Sequence, residues 1–141
     1  MADVVVFDTS AFLTLTGEEP GADTVQNFIT DALAGEVDLH ASFVSLTEVE
    51  YITRQAKGEE IARQRLADLK ALPVKWHHSD DALCGEAAKL KAAQKISFAD
   101  AFVAATALRL HTTLVHKDPE FDALAGVLKL HPLPPKTGAA K

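Results

Sequence analysis

Four consecutive apolar residues, Val4-Val5-Val6-Phe7, run directly into Asp8, Thr9 and Ser10. A strand wetted on one face alternates apolar and polar side chains. An unbroken apolar run is a strand buried on both faces, as strands are inside a parallel sheet. Parallel neighbours need crossover connections, usually helices, so this run commits the chain to an α/β layout with helices on both faces. It also puts Asp8 where the strand ends. In open α/β sheets, sites form just outside the carboxyl ends of the strands.

The rest of the chain alternates accordingly. Ala11 to Leu13 read as a short helical turn and Gly17 to Gly21 as a loop. Val25, Phe28, Ile29, Ala32 and Leu33 follow the i, i+3, i+4, i+7, i+8 template of an amphipathic helix, closed by Gly35. A second strand is expected at Asp38–Ala41. Ser45-Leu46-Thr47-Glu48 reads as a capping box opening a helix that runs to about Ala56. Gly58 separates it from another helix with Ile61, Ala62, Leu66 and Leu69 inward. After Pro73, Val74–His77 reads as a third strand. Ser79 to Ala93 is helical, with Ala82, Leu83, Ala87 and Leu90 inward. Ser97-Phe98-Ala99-Asp100 is a second candidate capping box, and its helix is apolar nearly all round, which marks a buried helix. Thr113–His116 is a fourth strand, Asp118-Pro119 an N-cap and first helical position, and Val127–Leu130 a last strand.

A length of 141 residues fits one domain, expected over 1–133, with 134–141 as a flexible tail. A domain of this size buries about two-thirds of its unfolded surface and needs no staple. The single cysteine, Cys84, excludes an internal disulfide and fits a reducing cytoplasm. No apolar run approaches the ~18 residues of a membrane span. The first residues lack the basic-then-apolar pattern of a signal peptide, so none is expected. The formal net charge of −6 argues against a nonspecific nucleic-acid coat. It is compatible with an enzyme whose carboxylates are neutralised by divalent metal before a phosphate arrives.

Four acids are the candidates for chemistry: Asp8, Glu48, Asp100 and Asp118. Asp8 follows a strand, and each of the other three is expected in the first turn or at the cap of a helix. Capping therefore explains each of them taken singly, because carboxylates meet free N–H groups and the positive dipole end there. Capping does not require the acids to converge, whereas a doubly wound sheet would bring them to one edge. Clustered, partly buried carboxylates repel and take up protons unless a cation sits among them. An all-oxygen set suits Mg²⁺ or Mn²⁺. Hydroxyls at Thr9, Ser10, Thr47 and Ser97 adjoin the acids and are placed to orient them.

Other chemistries lack their residues. The six histidines show no zinc-like spacing, and His77-His78 reads as a strand end. Cys84, inside a helix with no nearby base, reads as a small core residue, and Trp76 and the phenylalanines read as core. There is no glycine-rich phosphate loop. Arg54, Lys57, Arg63 and Arg65 form either a solvated helix face or a grip on backbone phosphate. A haloacid-dehalogenase-type phosphohydrolase also begins with a strand ending in Asp, but it wants a second acid two residues on, where this chain has Ser10. A non-catalytic RNA-binding module would have no need of four acids.

Val6-Phe7-Asp8-Thr9-Ser10, Leu46-Thr47-Glu48-Val49, Ile96-Ser97-Phe98-Ala99-Asp100-Ala101 and Leu114-Val115-His116-Lys117-Asp118-Pro119-Glu120-Phe121 together resemble the PIN-domain nucleases. The likeness is closest to the VapC-type toxins of toxin–antitoxin pairs. It extends from Val4 to about Leu133, with the acids in the family's order. It implies a three-layer α/β/α sandwich around a mostly parallel sheet of four to five strands. It further implies an endoribonuclease dependent on Mg²⁺ or Mn²⁺, with Asp8, Glu48, Asp100 and Asp118 as metal-binding acids. A cognate antitoxin and a homodimer are the partners it implies. Where the family often has Thr or Ser two residues before the fourth acid, this chain has His116. A further family acid corresponds to Glu120, which makes the fourth corner a choice between Asp118 and Glu120.

Overall fold

The computed structural model describes residues 2–135. Five strands, β1 (Asp3–Phe7), β2 (Val37–Ser42), β3 (Lys75–His77), β4 (Thr113–His116) and β5 (Lys129–Pro132), form one sheet in the order β3-β2-β1-β4-β5. Every neighbouring pair is parallel. β1 is central, with Phe7 in register with Ala41 on one side and Val115 on the other. Six α-helices connect the strands: α1 (Thr9–Thr16), α2 (Ala22–Leu33), α3 (Phe43–Lys57), α4 (Glu59–Ala71), α5 (Asp81–Ala93) and α6 (Phe98–Leu110). A 3-10 helix, Pro119–Leu124, lies between β4 and β5.

The apolar run behaves as its composition demands. Val5 and Phe7 enter a core with Ala11, Phe12, Val25, Ile29, Val49 and Leu69, from α1 to α4. Val6, between them, enters a second core with Leu83, Ala87 and the residues of α6. Alternate side chains of one strand thus fill both faces, giving the expected α/β/α layers. In α6, every residue from Asp100 to Ala107 is buried. Its small side chains, Ala101, Ala104, Ala105 and Ala107, leave little between helix and sheet.

Several local expectations are revised. The capping box at Ser45–Glu48 does not form, because α3 begins earlier, at Phe43, with Ser42 as N-cap. The β-strand runs straight into the helix without a loop, and Ser45 lies buried inside it. The turn after Ser10 is a full helix, α1, capped by Asp8. The last strand sits two residues later than expected, since Val127 and Leu128 belong to the turn that closes the 3-10 helix. Ile61 and Ala82 are exposed, and so is Cys84, because only Ala62 and Leu69 of α4 and Leu83 and Ala87 of α5 reach full burial. Trp76 is half-buried and stacks on Phe12 at 5.4 Å, whereas Phe98 lies open. Of the expected tail, 136–141 lie outside the described residues, and Pro134 packs on Gly21.

Gly21 is the position where glycine is required twice over. Its φ is +99°, and an added Cβ would stand 2.9 Å from Pro134 Cδ. Gly35 also has positive φ, +80°, but nothing lies within 4 Å of its Cβ position. Gly21→Ala is expected to cost about 2 kcal/mol or more, strain plus clash, and Gly35→Ala about 1 kcal/mol, strain alone. Urea unfolding of the two variants measures the difference.

Candidate active site

The strand order changes direction at β1. The chain first builds outward through β2 and β3, then crosses to the other side of β1 for β4 and β5. The carboxyl ends of β1 and β4 therefore flank the sheet's switch point, where open α/β sheets hold their ligands. Asp8 follows β1 and Asp118 lies just beyond β4. α6 leads into β4, so its N-terminal turn, with Asp100, stands at the same edge. α3 leaves β2 there and carries Glu48 one and a half turns in.

Asp8 is held from the side of β4. Its N–H donates to Val115 O at 3.0 Å, extending the β1–β4 ladder by one bond. Its Oδ2 accepts from Ser10 N at 3.0 Å and from Ser10 Oγ at 2.5 Å. Ser10 Oγ in turn accepts from Lys117 N at 2.8 Å, so one hydroxyl ties Asp8 to the chain leaving β4. Asp8 Oδ1 is buried and has no hydrogen-bond partner. Half of this carboxylate caps α1, and the other half has nothing in the protein to satisfy it. Burial is the main cause that pushes its pKa up to about 6, with the charge of Glu48 adding to it and the Ser10 bonds opposing it.

Glu48 is reached by a relay of hydroxyls. Thr9 Oγ1 donates to Glu48 Oε1 at 2.6 Å and lies 2.8 Å from Ser45 Oγ. With the Thr9 proton directed to the carboxylate, Ser45 is the donor of the second bond. Glu48 caps no helix, so capping does not account for it. Thr9 and Ser10 were expected beside the acids and do touch them. Ser45 is no cap; its position one turn before Glu48 on the same helix face is the sequence signal that places it here. Thr47, in contrast, is exposed, because a helix that starts at Phe43 turns it outward.

Asp100 is 7% exposed. Ser97 caps its helix, its Oγ accepting from Asp100 N at 3.1 Å. In a capping box the third helical acid returns to the cap's N–H, but here Glu120 supplies that acceptor, with Oε1 2.5 Å from Ser97 N. Asp100 is thereby free of capping duty and hydrogen-bonds Glu120. Burial first, then that bond, then the charges of Asp8, Asp118 and Glu120, push the Asp100 carboxyl up to about 9. The same bond and the Ser97 N–H hold Glu120 below its ordinary value. The more buried partner keeps the proton. Asp118 caps the 3-10 helix, Oδ1 accepting from Glu120 N at 2.9 Å. Its carbonyl accepts from Nδ1 of the buried His116, 3.0 Å away.

The donor set is all oxygen, as Mg²⁺ or Mn²⁺ prefers. One buried carboxylate oxygen lacks a partner and one carboxyl is driven to protonate, which is what an acidic pocket shows when it lacks positive charge. Among the described residues no three acids or histidines converge into a ready-made cage. Asp8 is turned to Ser10 and Asp100 to Glu120. These residues fit a divalent cation in charge and chemistry, and closing around one requires Asp100 to exchange Glu120 for it. Elsewhere, His77 Nε2 meets His40 Nδ1 at 2.8 Å at the end of β3, the strand-end reading. Arg54 pairs with Glu50 and Glu59, and Arg63 with Glu59, as on a solvated helix face.

The fold is that of a doubly wound α/β protein, with Asp8, Asp118 and the first turn of α6 at its switch-point edge. The chain belongs to the PIN domain family, whose model matches residues 5–127. Solved structures share the fold at low identity. VapBC2 from Rickettsia felis, bound to a DNA fragment from its promoter, is 18% identical, with a TM-score of 0.74 over 93% of this chain and 99% of that one. DNA-bound VapBC from Salmonella typhimurium is 14% identical, with a TM-score of 0.71 over 94% and 98%. VapC20 from Mycobacterium tuberculosis, a toxin that cleaves the sarcin-ricin loop, is 19% identical, with a TM-score of 0.69 over 91% and 99%. No curated protein matches the sequence.

Folding takes up protons at Asp8 and Asp100, since both values lie above the 3.8 of the free side chain. That contribution is fully present below pH ~4 and is lost as pH rises toward the raised values. An asparagine at 100 still donates to Glu120 but has no proton to acquire. In EDTA, Asp100→Asn is expected to melt several degrees above the natural protein at pH 8, with a smaller gap at pH 5. Thermal melts at the two pH values read this directly.

Proposed function

We propose that this protein is a divalent-metal-dependent endoribonuclease and the toxin of a VapBC-type toxin–antitoxin pair, acting in the cytoplasm. The observation that carries the reading is the buried, unpartnered Asp8 Oδ1 beside Asp100, at the switch point of a PIN domain. Asp8, Glu48 and Asp100 would hold Mg²⁺ or Mn²⁺, with Asp118 completing the pocket. The cation, when bound, neutralises charge on the scissile phosphate and acidifies the water that attacks it. The chain's part is to hold oxygens still. Ser10 orients Asp8 against the β4 exit, the Ser45–Thr9 relay orients Glu48, and Pro119 restricts the backbone of Asp118. Glu120 holds Asp100 neutral and in place, and a bound cation would take over that neutralisation. No histidine base is needed. Cleavage of the sarcin-ricin loop by the Mycobacterium tuberculosis toxin supports RNA as the substrate class.

A mixed RNA pool incubated with Mg²⁺, Mn²⁺ or EDTA tests this. Cutting is expected with either metal and not with EDTA. Asp8→Asn and Asp100→Asn should each remove it, by about 100-fold or more, while remaining folded. Asp118→Asn should lose about tenfold, and Glu120→Gln less. Cutting by Asp8→Asn at the natural rate would end the metal reading, and hydrolysis of a small phosphate ester with RNA untouched would favour a phosphohydrolase.

The partner reading rests on the toxin–antitoxin complexes that share the fold and on exposed apolar side chains of the α3–α4 hairpin, Tyr51 and Ile61. Among the described residues no helix is long and apolar enough to cross a membrane. Light scattering at micromolar concentration is expected to give twice the 15.1 kDa chain mass. A monomer would count against the dimer.

A further inference from the structure

Phe98 is the first residue of α6, two positions before Asp100, and it is 71% exposed. Nothing in helix formation calls for an aromatic there, since Ser97 caps the helix. The ring is nevertheless not loose. It meets Phe102 edge-on at 5.3 Å, and Phe102, buried, meets Phe43 edge-on at 5.4 Å. A line of rings thus anchors the exposed one to the core. Phe98 stands at one end of a groove of about 500 Å³ between α5 and α6, floored by Ala87, Ala88 and Ala101.

The groove's single charged lining residue is Lys91, and Lys95 is exposed in the connection to α6. Neither forms an ion pair among the described residues, although Lys89 on the same helix does, with Glu86. Phe98 follows Ser97, whose N–H is bonded to Glu120, and precedes Asp100 by two residues, so this end of the groove lies beside the acids. An exposed, anchored ring with lysines near it and acids two residues along the same helix matches a single-stranded nucleic acid. Such chains stack bases on aromatic faces while basic side chains follow the phosphates. An apolar protein segment would have no use for the two unpaired lysines.

We infer that Phe98 is a stacking platform for an unpaired base of the RNA substrate, with Lys91 and Lys95 holding the adjacent phosphates. This rests on the nuclease reading and adds to it a requirement for an unpaired nucleotide beside the cut.

The test is fluorescence anisotropy of a short, labelled, single-stranded RNA pool in Mg²⁺, in the Asp8→Asn background to prevent cutting. Phe98→Ala and Phe98→Leu are each expected to weaken binding about tenfold, roughly 1.4 kcal/mol, and Phe98→Trp to keep it. Lys91→Gln should weaken binding and flatten its salt dependence. Light-scattering mass should not change in any Phe98 variant, and melting temperature should fall only slightly, by the loss of the edge contact with Phe102. Undiminished binding by Phe98→Ala overturns the platform, and if the natural protein still cuts RNA the nuclease reading stands without it. Binding retained by Phe98→Leu, with a smaller mass for Phe98→Ala, overturns it in favour of a protein interface. An absence of RNA binding and cutting by every form overturns both readings.

Discussion

Repulsion among carboxylates that cannot reach water is the constraint around which this structure is arranged. Asp8 and Asp100 are buried, and the charges of Glu48, Asp118 and Glu120 act on one or the other of them. A protein under selection for stability alone would not assemble such a set, because each buried charge raises the cost of the next. The chain handles the repulsion with three local devices. Ser10 gives Asp8 two hydrogen bonds, Thr9 gives Glu48 one, and Glu120 shares a proton with Asp100. What these devices leave over, an orphan oxygen and a carboxyl held neutral, is the polarity a cation would satisfy.

The scaffold lets these devices be exact in position. A central β1 is packed on both faces and paired with β4, and the bond from Asp8 N to Val115 O carries that pairing one residue past the strand. The alanines of α6 let its N-terminal turn come down at the same edge. α6 follows another helix and not a strand. It still begins at the carboxyl edge, because it must descend to the start of β4 and α5 runs back against it. The link between Arg109, at the end of α6, and Asp80, at the start of α5, marks that antiparallel pairing.

Relatives that share 14–19% of their residues with this chain keep its fold at TM-scores of 0.69–0.74. The physical reading is that a parallel sheet needs apolar character and volume more than particular side chains, so cores are replaced freely if the pattern of burial is kept. Sites are less forgiving, and likeness at this level speaks for the fold.

Period and punctuation determined much from the sequence alone. The run Val4–Phe7 dictated a strand buried on both faces, the alternation that followed dictated a parallel sheet under helices, and a strand ending in Asp marked the functional edge. These are local statements, and side-chain spacing along one element is enough to make them. The order in which strands meet, and hence which acids meet, lies outside such statements. Only the assembled sheet separated Thr47, turned to solvent, from Ser45, turned to Thr9. Glu48 proved to cap nothing because α3 begins at Phe43, capped by Ser42 without a loop, a start that the capping signal at Ser45 concealed. Glu120 left its own helix to complete the cap at Ser97, 23 residues away in sequence. Phe98 read as core by its composition and is open by its position. In each case the deciding energy is a contact between residues far apart in the chain, and the local pattern around either partner carries no trace of the other.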